Sequence, residues 1–448
     1  MSFSSGQKEE RWSFSLEAIR IGLLGLGTVG SGVVKIIQDH QDKLMHQVGC
    51  PVTIKKVLVK DIDKKRDADL PKEVLTTEVY DVIDDPEVDV IIEVIGGVEQ
   101  TKQYLLDALK AKKHVVTANK DLIAVYGSEL LAAAKENGCD LYYEASVAGG
   151  IPILRTLEEG LSSDRITKMM GIVNGTTNFI LTKMIKEKSP YEEVLKEAQD
   201  LGFAEADPTA DVEGLDAARK MAILARLGFS MDVDLDDVKV KGISRITDED
   251  ISFSKRLGYT MKLIGIAQRD DNKIEVSVQP TLLPDHHPLS AVHNEFNAVY
   301  VYGEAVGETM FYGPGAGSMP TATSVVSDLV AVMKNMRLGV NGNSFVAPQF
   351  ERNLKQPSDI YAQQFLRIHV KDQVGSFSKI TSAFSERGVS FEKILQLPIK
   401  GHDDLAEIVI VTHHTSEEDF SDILQNLNDL EVVQEVKSTY RVEGNGWS

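Results

Sequence analysis

Cysteine is scarce: Cys50 and Cys139 are the only two in 448 residues. Neither sits in a CxxC or His-paired pattern, so the usual zinc motifs and a disulfide framework are excluded and a reducing compartment is expected. Positive charge is in deficit, with 48 Lys plus Arg against 68 Asp plus Glu and a net charge of -20. A field of that sign repels phosphate backbones and anionic headgroups, so neither nucleic acid nor a membrane is expected as a partner. Long hydrophobic runs are missing too, none approaching the roughly 18 to 20 apolar residues that span a bilayer. The opening MSFSSGQKEERWSF lacks the apolar centre of a signal peptide, and the expected location is cytoplasmic. Low-complexity tracts and solenoid-length repeats are also absent, which leaves a chain of distinct domains.

What is present is a change of texture along the chain. Residues 1–17 read as a disordered polar tail. From Ala18, short β-branched runs alternate with helical stretches: IRIGLLG, a helix through Val33, Val34 and Ile37, then VTIKKVLV, VDVIIEVIG, HVVTA and DLYYEA. That alternation predicts α/β architecture with a doubly wound parallel sheet over residues 18–147, and the run Val90 to Ile95 is apolar on both faces, as a doubly covered sheet requires. Residues 148–318 read as a mixed α+β domain. It holds the Gly/Asn/Thr-rich segment GIVNGTTNFIL, helices around Tyr191 to Leu201 and Leu215 to Leu227, and strands in IEVSVQPTLL and FNAVYVYGEAVGETMFYG. Over 319–340, Val325, Val326, Leu329, Val330 and Met333 recur at three- and four-residue steps, which predicts a helix returning toward the first domain. The Asn-, Pro- and Gln-rich stretch 341–363 reads as a linker. Residues 364–443 run strand, helix, strand, strand, helix, strand, the ferredoxin-like order.

Gly25-Leu-Gly27-Thr-Val-Gly30 follows a predicted strand and opens a helix, the context in which GxGxxG signals a Rossmann-type dinucleotide site. The first two glycines permit a tight turn and close approach to pyrophosphate, and the third lets helix and strand pack, with phosphate at the helix N-terminus. After the second strand, Lys60-Asp61-Ile-Asp63-Lys64-Lys65-Arg66 offers both signs. A cation there suits the 2′-phosphate of NADP(H), which is favoured, with NAD(H) usable and a solvated charged turn as the plainer reading. Thr117-Ala118-Asn119-Lys120 lies past the carboxyl end of a predicted strand, where such sheets bind ligands. Asp216 stands four residues before Lys220 on a predicted helix, so both share one face. Such a pair is ordinarily a surface ion pair, but an acidic, Gly- and Pro-containing approach with Glu205, Asp207, Asp211 and Glu213 leads into an alanine-rich helix, which points it into a cleft.

At these residues the sequence resembles the homoserine dehydrogenase family. Ala198, Gly202-Phe203-Ala204, Asp207-Pro208, Asp211-Val212, Gly214, Asp216 and Lys220 fit the family signature, and TANK at 117–120, EASVAGGIP at 144–152 and GPGAGSMPTATSVVSD at 313–328 extend the likeness. The resemblance implies reversible NAD(P)H-dependent reduction of L-aspartate 4-semialdehyde to L-homoserine, a step toward threonine, methionine and isoleucine. It implies a homo-oligomer in which 148–318 carries catalysis and dimerisation. By resemblance Lys220 is the proton donor, Lys120 lies near nicotinamide and aldehyde, and Glu205, Asp211 and Asp216 bind substrate. Gly25, Gly27, Thr28, Val29, Gly30, Lys60, Gly96, Lys120, Gly202 and Gly317 would contact the cofactor. Glu144, Val147, Gly149 and Ile151 match a family site for a monovalent cation, sodium; one carboxylate with backbone carbonyls is a hard-oxygen set that would brace the domain joint.

The C-terminal unit resembles an ACT domain, an amino-acid-binding module. Its turn Asp372-Gln-Val374-Gly375-Ser-Phe377 has Val374 where proline is common. Threonine feedback at paired ACT units is one reading and an oligomerisation module the other. Two rivals to the enzyme are an acylating dehydrogenase, which needs an activated cysteine, and a catalytically inert nucleotide and amino-acid sensor. The pairs His286-His287 and His413-His414 lack metal-ligand spacing and read as surface or strand-end residues.

Overall fold

A computed structural model describes residues 17–343, 347–399 and 401–444. The tail expected over 1–17 lies outside the described residues, apart from Glu17. Six parallel strands open the fold: β1 (Ile19–Leu24), β2 (Val52–Leu58), β3 (Leu75–Thr76), β4 (Val90–Glu93), β5 (His114–Thr117) and β6 (Leu141–Tyr142). Their order β3-β2-β1-β4-β5-β6 is the dinucleotide-binding arrangement, which opens a crevice beyond the carboxyl ends of the paired strands β1 and β4, where the strand order reverses. All four residues of β4 are buried, because helices cover both faces. The flanking helices that matter for the site are α1 (Thr28–Asp39) and α2 (Lys120–Asn137).

The second unit is built on β7 (Ile166–Ile172), β8 (Val238–Val240), β9 (Tyr259–Asp270), β10 (Lys273–Pro284), β11 (Phe296–Gly303) and β12 (Gly307–Pro314), in the order β12-β11-β7-β9-β10 with β8 beside β10. The sequence pattern shows no clear sign of β9, since nine of its twelve residues are buried in near-continuous succession and no polar alternation survives. The GIVNGTTNFIL segment divides between the end of β7 and α3 (Gly175–Glu187), with Asn174 as its N-cap. Helix α4 (Leu215–Phe229) lays a small-residue face on the sheet: Ala217, Ala218, Ala222 and Ala225 are all buried. Met221 of α4 lies over Gly265 of β9, where a β-carbon would overlap its side chain. Helix α5 (Asp248–Arg256) follows.

Helix α6 (Ser318–Leu338) returns to the first sheet, where Val325, Leu329, Val332 and Met333 are fully buried with Val33 and Val34 of α1. Each such side chain contributes about 2 kcal/mol on burial. The two helices approach closely because Gly32 has no β-carbon; one placed there would lie 2.8 Å from the Ser318 carbonyl oxygen.

The stretch 341–363 is not a free linker. Gly342 N–H donates to Asp140 at 2.7 Å, Gln349 and Phe350 N–H groups both donate to the Ser230 carbonyl, and Lys355 N–H donates to Ile274. Lys355 also pairs with Asp270 at 2.5 Å. Residues 344–346 lie outside the described residues. Composition marks the segment as irregular, but it does not reveal that its backbone donors find partners on neighbouring elements.

The C-terminal unit comprises β13 (Tyr361–Lys371), α7 (Ser376–Ser385), β14 (Phe391–Ile399), β15 (His402–Thr412), β16 (Thr415–Ser416), α8 (Glu417–Asp429) and β17 (Val433–Val442). Its order β17-β13-β15-β14 is ferredoxin-like. One face, with Leu366, Ile368 and Ile410, packs on Ile380 and Phe384 of α7 and Ile423 of α8. The opposite face, with Phe365, Val409, Val411 and Tyr440, joins the core of the second unit. Strand β17 pairs in parallel with β10 through Thr281 with Arg441 and Leu282 with Val442, so one sheet of eleven strands runs through both units. Asp250 of α5 accepts from Arg367 at 2.9 Å and Tyr440 at 2.8 Å and also from Ser438. A buried ion pair thus fastens the units together.

Candidate active site

The turn after β1 carries the glycine loop. Gly25 has φ +107°, which L side chains rarely adopt. A β-carbon at Gly30 would overlap the Gly25 carbonyl oxygen, so α1 meets the turn only with glycine there. Gly27 differs: nothing lies within 4 Å of a β-carbon built on it. Gly27 is the N-cap of α1, no side chain caps the helix, and Thr28 and Val29 form its first turn. Free N–H groups and the positive end of the helix dipole therefore face the adjoining cleft of about 580 Å³. Lys60, Asp61, Lys64 and Arg66 line that cleft too. Arg66 turns back to the Asp61 and Lys64 carbonyls, whereas exposed Lys60 makes no ion pair among the described residues. Gly317 caps α6 at φ +120°, and Ser318 beside it donates to the Thr28 carbonyl at 2.6 Å, which sets Gly317 next to the glycine loop.

At the carboxyl end of β4, fully buried Glu93 accepts Ile95 and Gly96 N–H groups on one oxygen and the Thr117 hydroxyl on the other. Burial pushes its carboxyl up, and these hydrogen bonds oppose that. Asn119 caps α2 by accepting Leu122 N–H and reaches the Gly97 carbonyl at 2.7 Å. The loop bearing Gly96 is thereby held against the start of α2, whose first residue is Lys120.

Lys120 meets helix α4 there. Its Nζ lies 3.0 Å from Asp216 Oδ1, and Lys220 Nζ lies 2.6 Å from Asp216 Oδ2. Arg219 pairs with Asp121 at 2.7 Å, and Arg226 donates to the Ile123 and Ala124 carbonyls, so α4 is locked on α2 with the two lysines converging. Lys220 also donates to the Val173 carbonyl at 2.7 Å. Asn174 donates to Asp216 at 2.9 Å and to Asp211 at 2.7 Å, which brings Asp211 into the same cluster. Burial would raise the Asp216 carboxyl, but Lys220 and Lys120 together hold it well below the usual carboxylate range. Burial would lower the Lys120 ammonium, yet Asp216 overrides it and holds it above its ordinary value. Asp211 is pushed up by burial and by Asp216, with Asn174 opposing. Two ammonium groups on one desolvated carboxylate form a proton-donating edge aimed at any oxygen set between them.

Glu205 is not gathered into this cluster. It lies exposed on the loop after residue 200, and among the described residues only its backbone carbonyl is engaged, by Gln199. Gly202, at φ +78°, turns the same loop. The acidic spacing on which Glu205 is selected says which residues share a segment, not which way a loop side chain points. Asn174 and Glu93 are missed by sequence reasoning, although an Asn opening a helix and a lone acid ending an apolar strand are both readable signals.

Glu144 sits at the joint between the first two units. Its oxygens accept Leu154 N–H at 2.8 Å and Arg155 N–H at 2.7 Å, and its own N–H donates to Asp328 of α6. Burial pushes the Asp328 carboxyl up to about 8, opposed by Arg155 at 2.5 Å. The Gly149 carbonyl accepts from Ser324, and that of Ile151 accepts from Ile153 N–H, while Val147 is fully buried. Each of these oxygens retains a lone pair, so the set fits a hard monovalent cation in donor chemistry.

Both cysteines are buried, and burial pushes the Cys139 thiol up to about 11, the opposite of an activated nucleophile. His287 is buried rather than at a surface: its ring accepts Leu289 N–H. Among the described residues no helix is long and apolar enough to cross a membrane.

Comparison with known proteins adds to this geometry. The family model described as "Homoserine dehydrogenase" matches residues 152–330, "Homoserine dehydrogenase, NAD binding domain" matches 25–144, and "ACT domain" matches 365–432. The chain is 93% identical over 433 residues to the homoserine dehydrogenase of Bacillus subtilis strain 168, covering 97% of this chain and 100% of that protein. A solved homoserine dehydrogenase from Thiobacillus denitrificans superposes with a TM-score of 0.90 at 37% identity, covering 96% of this chain and 99% of that one. A hyperthermophilic archaeal homoserine dehydrogenase in complex with NADPH superposes at 0.61 with 25% identity, covering 74% of this chain and 100% of that one.

Proposed function

The chain belongs to the homoserine dehydrogenase family, an oxidoreductase with a Rossmann nucleotide domain and a C-terminal ACT domain, and on that premise we propose how its residues divide the work. The observation that carries the proposal is the Lys120–Asp216–Lys220 arrangement beside the nucleotide cleft. When bound, the nicotinamide supplies the hydride to the aldehyde of L-aspartate 4-semialdehyde, or accepts it from L-homoserine.

As negative charge grows on the substrate oxygen, Lys220 Nζ donates the proton that completes the alcohol. Lys120, placed at the end of β5 beside the Gly96 loop, stabilises the same oxygen and shares the proton inventory. Asp216 keeps the Lys120 ammonium charged and holds Lys220 in place by an ion pair. Asp216 and Asp211 hold the substrate α-ammonium, with Glu205 on the neighbouring loop as the third carboxylate. Asn174 keeps the two aspartates in register.

The α1 N-terminus, with Gly25, Gly27 and Gly30 leaving room and Thr28 and Val29 offering N–H groups, would hold the cofactor's pyrophosphate. Gly96, Gly202 and Gly317 let backbone approach the rest of the cofactor. Lys60 pairs with a 2′-phosphate, which favours NADP(H) while leaving NAD(H) usable. Glu144 with the carbonyls of Val147, Gly149 and Ile151 holds sodium and braces the joint. The enzyme works in the cytoplasm as a homo-oligomer, with threonine inhibiting through the ACT domain.

The test is the initial rate of NADP and of NAD reduction by L-homoserine at alkaline pH, with and without L-threonine. Activity with NADP that exceeds activity with NAD, and falls to the NAD level in Lys60→Ala, supports the assignment. Absence of turnover in protein that binds the cofactor overturns it.

A further inference from the structure

Glu93, the last residue of β4, is fully buried, and among the described residues no cation lies at ion-pair distance from it. Its hydrogen bonds fix its charge state. Oε1 accepts the Ile95 and Gly96 N–H groups at 2.8 and 3.0 Å, and Oε2 accepts the Thr117 hydroxyl at 2.6 Å. The Thr117 oxygen itself accepts Asn119 N–H at 3.0 Å, so its single hydrogen has Oε2 as its acceptor. A proton on Oε2 would strand that hydrogen in a buried space, which is costly. Burial pushes the carboxyl up, while these donors and the Asn119 side chain oppose it. Glu93 is therefore a carboxylate held by neutral donors alone.

Its place gives that charge a use. Val94 and Ile95, which follow it, line the nucleotide cleft with Gly25 and Gly27. Thr117 ends β5, and the same network runs through Asn119 to Lys120 at the start of α2. Glu93 thus lies beneath the floor of the crevice, between the loop that faces the cofactor and the helix that carries Lys120. Asp216, by contrast, already faces two lysines.

We propose that Glu93 sets the oxidation-state preference of the nucleotide site: its uncompensated carboxylate favours the oxidised nicotinamide ring, which is positively charged, over the neutral reduced ring. The proposal rests on the dehydrogenase reading above and adds a residue to it. Being fully buried, Glu93 acts through space and not by contact. It supplies a fixed anion in a low-dielectric floor, which needs no reorganisation to meet positive charge on the ring. The same anion offsets the ammonium groups of Lys120 and Lys220, which on their own disfavour a further cation nearby.

The test is binding to the full-length enzyme by fluorescence titration, without turnover. The ligands are NADP+ and NADPH, and NAD+ with its benzamide isostere, whose ring has the same shape and no charge. The native enzyme should bind NAD+ about tenfold more tightly than the isostere. Glu93→Gln keeps the size and an acceptor for Ile95 and Gly96, and should bring those two affinities within about twofold. The same variant should raise the Kd for NADP+ about tenfold relative to that for NADPH. Asn119→Ala frees the Gly97 carbonyl and uncaps α2 but leaves the charge, so it should move the Kd values of both oxidation states by one factor. If Glu93→Gln also weakens oxidised and reduced cofactor equally, Glu93 is a scaffold for the loop and the proposal is overturned. Equal native affinity for NAD+ and the isostere overturns it as well, and that comparison needs no variant to fold. Native protein that binds none of these nucleotides overturns the nucleotide reading itself, and the proposal with it.

Discussion

Asp216 receives Lys120 on one carboxylate oxygen at 3.0 Å and Lys220 on the other at 2.6 Å. The two lysines come from different domains, so this carboxylate is both a proton-inventory device and a domain contact. Replacing Lys220 by Ala should lower kcat for homoserine oxidation by about 10²- to 10⁴-fold. NADP affinity, read by fluorescence titration, should stay within about threefold. Equal turnover in the variant would remove Lys220 as proton donor.

The same pair sets a pH dependence with a definite sign. Asp216 raises Lys120, and burial opposes it. In homoserine oxidation a lysine must first lose its proton, so the rate should climb on the alkaline side. Asp216→Asn removes the raising charge and leaves the burial, so the ascending limb of log kcat against pH should move to lower pH. A limb that stays in place would show that Asp216 does not govern the titrating group.

Two glycines of one loop predict opposite outcomes. Gly30→Ala forces a β-carbon onto the Gly25 carbonyl and should cost about 1–3 kcal/mol in urea unfolding. Gly27→Ala meets nothing in the protein, so stability should hold while NADP affinity falls, because the added methyl stands where phosphate approaches. Calorimetry on both variants separates packing from ligand contact.

Asp250→Ala should destabilise by about 3–5 kcal/mol, since Arg367 loses its one buried carboxylate, keeping only half-buried Glu407, and Tyr440 loses its acceptor. A single urea transition in the native enzyme that splits in two in the variant would report uncoupling of the ACT unit. An unchanged midpoint would mean the shared sheet alone carries the coupling.

Neither thiol should react with an aromatic disulfide reagent in the native state, and Cys50→Ser with Cys139→Ser should retain full turnover. Loss of activity would reopen covalent chemistry.

Much of this was readable beforehand where a local rule has one structural outcome. The glycine loop, the i,i+4 spacing of Asp216 and Lys220, and the strand order of the C-terminal unit each follow from short-range geometry. What escaped needs distant partners. Asn174 gains meaning only when β7 carries it to α4, and the side chain of Glu205 depends on a loop whose position no periodicity encodes. The supposed linker is tied down by Ser230 and Ile274, residues more than 70 positions away from their partners by the end of the segment. That the C-terminal sheet continues the catalytic one was equally invisible, because parallel pairing of β17 with β10 leaves no mark in either strand.

That pairing has a consequence for how the protein is made. About 150 residues separate the end of β10 from the start of β17. At roughly 5–20 residues per second, a ribosome spends on the order of ten seconds or more between releasing the two strands. Throughout that interval the Thr281–Leu282 edge of the nascent catalytic unit lacks its final neighbour and offers unpaired backbone to any passing chain. The last strand to emerge is therefore the clasp that ends this exposure, and truncations that remove β17 should yield chains that a chaperone retains rather than an enzyme that has merely lost its regulation.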